Sequence, residues 1–222
     1  MQSIVRLFAA FGFMAAASAV YGQTTIISGG DPADGLTVDP AHVVAAWNLG
    51  TASATTYTLQ GVTFTNIAGG GNYGVSFDFG GAGNDAAISG LMQSLAWSGV
   101  SGSLDYDFTG LTPGGNYFFQ LFQTVGGSYG GRHQGISING APATYVDVTG
   151  SLSLTTLSAT ADGLGNLHLT MARSGAFGDG SGTQDGAVLN ALVLTAVPEP
   201  ATYAAILGAG ALGLAFFRRR TS

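Results

Sequence analysis

The sequence contains no cysteine and no lysine, and Glu199 is its only glutamate. Without cysteine the chain forms no disulfide, so its folded state must be stabilised by packing even in an oxidising compartment. Charged residues make up only 8% of the 222 positions. Long surface helices are unfavourable without lysine and glutamate, which are strong helix formers. These absences favour a protein built from β-sheets.

Glycine is abundant instead, with 37 residues. Many short strands joined by tight turns are typical of such a composition. Residues 23–197 carry eleven aspartates against Arg132 and Arg173, which gives this region a net charge near −9. Nucleic acid and anionic lipid are therefore poor partners for it.

Strand patterns are clearest at residues 103–108, where apolar and polar side chains alternate with a period of two. This pattern puts the leucine, tyrosine and phenylalanine on one face and both aspartates in water. Residues 75–79 and 167–171 alternate in the same way. Residues 116–125 and 186–196 are apolar on both faces, which predicts central strands covered on both sides.

One segment has helical spacing. Apolar side chains recur three and four positions apart over residues 86–96, after Asn84 and Asp85, either of which would be a good N-cap. About eight to ten strands with this one short helix predict an all-β fold, an antiparallel β-sandwich of jelly-roll type over residues 23–196.

The N-terminus has the layout of a secretory signal peptide, because Arg6 precedes an apolar stretch at residues 7–20 and small residues follow. Cleavage after Ala19 or after Gly22 leaves small residues at the critical positions. We favour Gly22, which assigns residues 1–22 to the signal peptide and the Sec translocon as a partner. An uncleaved N-terminal anchor is the alternative.

Residues 201–217 carry no charge and predict a membrane helix. At about 1.5 Å per residue the helix would be about 25 Å long, near the lower limit for crossing a bilayer. Arg218, Arg219 and Arg220 follow it and mark the cytoplasmic side. The body of the protein is therefore expected outside the inner membrane.

Pro198 and Pro200 hold Glu199 in extended, exposed backbone, which is the conformation that proteases and transpeptidases bind. Together with the apolar helix and the arginines, this arrangement resembles the PEP-CTERM sorting signal, here residues 197–222. The resemblance implies recognition by an exosortase in a Gram-negative bacterium. It also implies removal of the tail, so that contact with the inner membrane is transient. A plain C-terminal anchor is the alternative.

The body carries a second resemblance, in residues 61–64, the turn and aromatic strand at 110–122, and residues 132–140 and 190–194. These segments are similar to galactose-binding-like and malectin-like jelly rolls of exported bacterial proteins. The resemblance implies the fold and makes sugar binding an expectation, but a fold does not assign a function.

The best candidate ligand-binding residues are Tyr129, Arg132 and His133, in and after a glycine-rich loop. An arginine fork and an imidazole can hydrogen-bond sugar hydroxyls while an aromatic ring covers an apolar sugar face. The alternative is that Arg132 pairs with a nearby aspartate such as Asp147. No metal site is predicted, although Asp179 and Asp185 are weak calcium candidates because oxygen side chains alternate there without a closing glutamate.

No catalytic site is predicted. Ser128 lies in a Gly-x-Ser-x-Gly pattern, but a strand is predicted after it where serine hydrolases need a helix. Asp105 and Asp107 are about 6.6 Å apart along one strand. That is near the carboxylate separation of inverting glycosidases, but side chains on one strand face do not flank a bond.

These observations predict an exported, non-catalytic protein at the cell surface or in the extracellular matrix, with carbohydrate such as exopolysaccharide as its candidate ligand. A structural matrix or adhesin protein without a specific ligand is the main alternative. A hydrolase is the third.

Overall fold

A computed structural model describes residues 21–25, 39–50, 56–67, 82–125, 131–179 and 186–198 of the chain. These ranges contain thirteen β-strands and one α-helix. In chain order they are β1 (Tyr21–Thr25), β2 (Val43–Leu49), β3 (Tyr57–Leu59), β4 (Val62–Ile67), α1 (Asn84–Leu91), β5 (Ala96–Trp97), β6 (Ser103–Phe108), β7 (Asn116–Gln123), β8 (Arg132–Ile138), β9 (Thr144–Val148), β10 (Ser153–Thr160), β11 (Leu167–Arg173), β12 (Val188–Leu189) and β13 (Ala191–Ala196).

Seven strands form one sheet in the order β1-β10-β7-β13-β2-β4-β3, and four form a second sheet in the order β6-β11-β8-β9. β12 and β5 make a short two-stranded ladder. The strand pairs of the described residues are antiparallel except β2 with β4, which run parallel. The prediction of an all-β sandwich with one short helix is confirmed.

The first of two hydrophobic clusters fills the space between the large sheets. Trp47 of β2 stacks on Phe108 of β6 with ring centroids 4.7 Å apart. Phe108 in turn meets the edge of Phe119 of β7 at 5.4 Å. These aromatic contacts join the two sheets through side chains that alternate inward along each strand.

The second cluster covers the opposite face of the seven-stranded sheet, where α1 packs through Ile88 and Leu91. Phe122 of β7 meets Phe64 of β4 edge to face at 6.2 Å. The central strands of the seven-stranded sheet are therefore buried on both faces. This explains why β7 and β13 are apolar on both sides and confirms their prediction as central strands.

The helix is shorter than predicted. It runs over Asn84–Leu91 with Gly83 as its N-cap, whereas Asn84 accepts a hydrogen bond from the backbone N–H of Gln60 at 3.1 Å. Residues 92–96 leave the helix because they bind elsewhere: Asn190 donates to the carbonyl oxygen of Ser94 at 2.9 Å, and Ala96 pairs with β12. The prediction of Asn84 or Asp85 as the N-cap and the prediction of a helix end at residue 96 are therefore wrong. Long-range contacts outweigh helical periodicity in this segment.

Three predictions lie outside the described residues, namely most of the signal peptide, the strand at 75–79 and the membrane helix at 201–217. Among the residues that the structure does describe, none forms a helix with the length and apolarity needed to span a bilayer. β1 begins at Tyr21, paired with Leu157 of β10. Cleavage after Gly22 would shorten this strand, whereas cleavage after Ala19 would leave it whole.

Gly50 provides a test of the packing between β2 and the segment after α1. Its φ is +90°, and a Cβ there would lie 1.9 Å from the carbonyl oxygen of Leu95. We expect Gly50→Ala to lower the free energy of unfolding by about 3 kcal/mol or more, because strain in the left-handed region adds to overpacking. The measurement is urea unfolding.

The matched control is Gly110→Ala, because Gly110 has a φ of +73° but no atom within 4 Å of an added Cβ. We expect this variant to lower the free energy of unfolding by only about 1–2 kcal/mol, because it adds backbone strain without a steric clash. Equal losses in the two variants would contradict the predicted backbone clash.

Candidate functional site

The outer face of the four-stranded sheet carries polar side chains that could contact a ligand. Along β6, β8, β9 and β11, alternate residues enter the core and the others point away from it. The outward residues include two histidines, one near each end of the face. In the register of β8 with β11, their positions are six residue steps apart along the strand direction, which at about 3.4 Å per residue is about 20 Å.

His133 of β8 is held by two carboxylates. Its Nδ1 lies 2.6 Å from Asp147 Oδ1 on β9, and its Nε2 lies 2.7 Å from Asp179 Oδ2. The ring also stacks on Tyr145 of β9 with centroids 5.8 Å apart and an interplanar angle of 12°. Because a carboxylate only accepts, both ring nitrogens must donate, which favours the imidazolium.

The electrostatic consequence is a raised pKa for His133. The hydrogen bond to Asp147 contributes most, the bond to Asp179 adds to it, and partial burial opposes both. The side chain is 29% exposed, so water still reaches the ring and screens the pairing.

A short 3-10 turn, Ser174–Phe177, brings Asp179 to this place. Phe177 lies directly over Gly135 of β8, where a Cβ would be 2.4 Å from the phenylalanine ring. The hydroxyl of Tyr145 donates to the carbonyl oxygen of Phe177 at 3.3 Å. The glycine therefore creates the space in which residues 174–179 fold back onto the sheet.

His168 of β11 repeats the arrangement at the other end of the face. Its Nδ1 lies 2.6 Å from Asp107 Oδ1, and its Nε2 lies 3.4 Å from Asp105 Oδ1. Asp105 also accepts hydrogen bonds from Thr170, at 2.9 Å, and from Ser103. The two aspartates raise the pKa of His168, and the hydrogen bond to Asp107 is the largest cause.

The same contacts bear on the glycosidase alternative. The side chains of Asp105 and Asp107 are 44% and 75% exposed and bind residues of their own sheet face. A general acid needs a desolvated carboxyl group, and these two are solvated. Ser128, the other catalytic alternative, lies outside the described residues.

Arg132 points the opposite way from His133, into the sandwich, and is only 7% exposed. Its Nη1 donates to the carbonyl oxygen of Gly186 at 2.9 Å. Gln134, on the same side of β8, accepts from the N–H of Val188 at 2.9 Å and donates to its carbonyl oxygen at 3.3 Å. Arg132 and Gln134 therefore attach residues 186–188 to the sheet.

The structure thus separates residues that the sequence placed together. Arg132 and His133 are adjacent in sequence but lie on opposite faces of a strand, and Tyr129 lies outside the described residues. Asp147, weighed as a partner of Arg132, pairs across the strands with His133. The ligand-binding role of the three residues stays a prediction.

Sequence reasoning missed Tyr145 as a member of the site. The signal was present, because Tyr145 and Asp147 alternate with the apolar side chains of β9. The contribution of Asp179 depends on the fold of residues 174–179, which no periodicity indicates.

The metal prediction stays open. No cluster of three or more histidine, cysteine, aspartate or glutamate residues that could hold an ion occurs in the described ranges. Asp179 is bound to His133, and Asp185 lies outside those ranges.

Residues 196–220 match the PEP-CTERM protein-sorting motif. The match begins at the last residue of β13 and includes Pro198, Glu199, Pro200 and the three terminal arginines. This confirms the resemblance that the sequence carried. The motif implies an exported protein that is sorted by an exosortase.

Among solved structures, the fold is similar to the ectodomain of ANX1 from Arabidopsis thaliana, with a TM-score of 0.54 and 15% identity. It is also similar to the ANX2 ectodomain from the same plant, with a TM-score of 0.52 and 13% identity. Each alignment covers 71% of this chain and 49% or 50% of the ectodomain, so the chain spans about half the length of these structures. They are malectin-like ectodomains, which confirms that resemblance for the fold.

A β-glucuronidase from Bacteroides uniformis is similar with a TM-score of 0.48 and 18% identity, over 69% of this chain and 18% of the enzyme. A likeness of this size assigns no activity. No characterised protein sequence matches the chain significantly.

The raised pKa values of His133 and His168 predict a pH-dependent stability. A raised pKa means that the folded state binds the proton more tightly than the unfolded state. The contribution of each histidine to the free energy of unfolding is complete below the ordinary pKa of 6.5. It is lost as the pH rises through the raised pKa of the folded state. We expect a loss of at most about 1 kcal/mol per histidine, because both rings are partly exposed.

Urea unfolding at a series of pH values measures this effect. His133→Gln and His168→Gln should each remove part of the slope, and the double variant should remove both parts. A free energy of unfolding that increases with pH above 6.5 would contradict the assignment of these two rings.

Proposed function

We propose that the protein is an exported, non-catalytic component of the cell surface or extracellular matrix that is sorted by an exosortase and binds carbohydrate. The observation that carries the sorting part is the match of residues 196–220 to the sorting motif. The binding part is supported by the malectin-like fold and by the chemistry of the outer face around His133.

The sorting route follows from the physical character of the C-terminal segment. Residues 201–217 are uncharged and are followed by three arginines, so the tail would stop in the inner membrane of a Gram-negative bacterium with the sandwich outside. The exosortase would then act next to Glu199 while the membrane holds the substrate. The Sec translocon is the proposed entry route because the N-terminal segment has signal-peptide layout.

A sugar could be held where Tyr145, His133 and Asp147 meet. The tyrosine ring offers an apolar face, and the carboxylates beside it offer acceptors for hydroxyl groups. Asp147 has a side chain that is 76% exposed, so its free lone pairs face solvent. Tyr129 is four residues before His133 in the sequence, so it stays a candidate for the same site.

A structural matrix or adhesin protein without a specific ligand is the alternative. One observation favours it: both ring nitrogens of His133 and of His168 are already engaged by aspartates of the same molecule. Such contacts strengthen a surface without requiring a ligand. The hydrolase is the third candidate and has less support, because Asp105 and Asp107 are solvated.

A glycan array with the purified exported protein tests carbohydrate binding. We expect Tyr145→Ala to weaken binding to the best glycan by about tenfold, because stacking on an aromatic ring contributes about 0.5–1.5 kcal/mol beyond the buried area. Tyr145→Phe keeps the ring and should keep the binding.

His168→Ala is the second control, since it removes the equivalent histidine at the far end of the face. Arg132 is unsuitable for this test because it is buried and holds residues 186–188. An array without any bound glycan, together with self-association of the protein, would favour the structural alternative.

Sorting is tested by immunoblots of membrane and extracellular fractions from the native host. Deleting the exosortase gene should cause the full-length precursor to accumulate in the membrane fraction. Glu199→Ala should do the same, whereas Thr221→Ala, outside the matched residues 196–220, should be processed normally. An unchanged size and location of the protein in the deletion strain would exclude exosortase sorting.

A further inference from the structure

The sorting motif follows the folded body without a spacer. Its first matched residue, Ala196, is still paired with Tyr117 of β7. The N–H of Val197 donates to the carbonyl oxygen of Asn116 at 2.9 Å. Pro198 has no N–H and cannot continue the ladder. The paired strand therefore runs up to the residue that precedes the proline–glutamate–proline element.

β13 changes character within its own length. Its first four residues, from Ala191 to Leu194, are fully buried. The register with β2 then shifts between Leu194 and Thr195, as at a β-bulge, which locally interrupts the ladder. After the shift, Thr195 and Ala196 are half-buried and Val197 is exposed. Residues 195–197, the strand end, thus keep their backbone pairing but bury less of their side chains than residues 191–194 do.

This geometry limits access to the sorting motif. From Val197 to Ala201, where the uncharged run begins, the chain spans at most about 14 Å. A membrane enzyme that cleaves near Glu199 needs extended, unpaired backbone on both sides of the bond, just as peptide-binding sites in general pair with the main chain of their ligands. While the strand end is paired with β7, the N-terminal side of that segment is occupied by the sheet.

We propose that the exosortase binds extended, unpaired backbone on both sides of the proline–glutamate–proline element, so that residues 195–197 must leave β7 and β2 before the chain is cleaved. The inference rests on the proposed exosortase sorting and names the substrate segment more fully. Local opening of this kind is least costly where few buried contacts are broken. The bulge after Leu194 confines the opening to the strand end, so that the buried residues of β13 stay in place.

A disulfide that locks the strand end tests the proposal in the native host. Thr195 and Phe118 lie directly opposite each other on β13 and β7, and both are half-buried. Opposite positions of this kind bring Cβ atoms within about 4.5–5.5 Å, and the chain has no other cysteine to compete. We expect T195C/F118C to be processed about tenfold more slowly, which corresponds to about 1.4 kcal/mol of added opening free energy, in a pulse-chase experiment.

The matched control is T58C/T63C, which joins β3 to β4 at another opposite pair whose two residues are exposed and do not contact β13. It should be processed at the wild-type rate, and a reductant should restore processing of T195C/F118C. Processing of the oxidised T195C/F118C protein at the wild-type rate would overturn the proposal.

A second variant avoids any effect of the cysteines on folding. A flexible Gly-Ser-Gly-Ser-Gly-Ser spacer between Val197 and Pro198 supplies unpaired backbone without opening the strand. It should speed processing of the otherwise unchanged protein and rescue T195C/F118C. An unchanged rate in the otherwise unchanged protein would show that the strand end is not limiting.

The host that lacks the exosortase separates the two proposals. If the unchanged protein is processed equally in both hosts, exosortase sorting itself fails. If processing requires the exosortase but ignores both the lock and the spacer, sorting stands and the role of the strand end is wrong.

Discussion

Burial of the central strands of the seven-stranded sheet on both faces is the constraint on which the rest of the structure depends. β7 and β13 supply side chains to the cluster between the sheets and to the cluster under α1. Neither strand can leave without opening both clusters. β13, which precedes the sorting segment, is therefore also one of the most deeply buried strands. The sorting segment starts from that strand, and this joins the stability of the body to the handling of its C-terminus.

The surface is organised by a second recurring contact, between aspartate and histidine. His42 binds Asp39 at 2.7 Å before β2, and His133 and His168 each lie between two aspartates. The body has few other cations, because it contains no lysine and Arg132 is buried. Protonated His133 and His168 therefore offset part of an acidic surface, and the balance depends on pH.

The strands could be predicted where one physical rule dominated. Alternation of polar and apolar residues identified β6 and β11, and continuous apolar sequence identified β7 and β13. Burial on one face or on both faces determines which of these two polarity patterns a strand has. The end of α1 could not be predicted in this way. Residues 92–96 have helical spacing, but contacts with Asn190 and β12 draw them away. The separation of Arg132 from His133 could not be predicted from their adjacency in sequence, since neighbours on a strand point to opposite faces.

By itself the sequence determined that the chain is a sheet protein and that its C-terminus is a sorting segment, because composition, period and a proline-bounded motif are local properties. Only the tertiary structure decided which polar residues meet. It turned Arg132 inward onto Gly186 and brought Asp179 across the sheet to His133. It also paired the chain up to Val197. These outcomes depend on strand register and on how a distant turn folds back, and neither is encoded in the neighbouring residues alone.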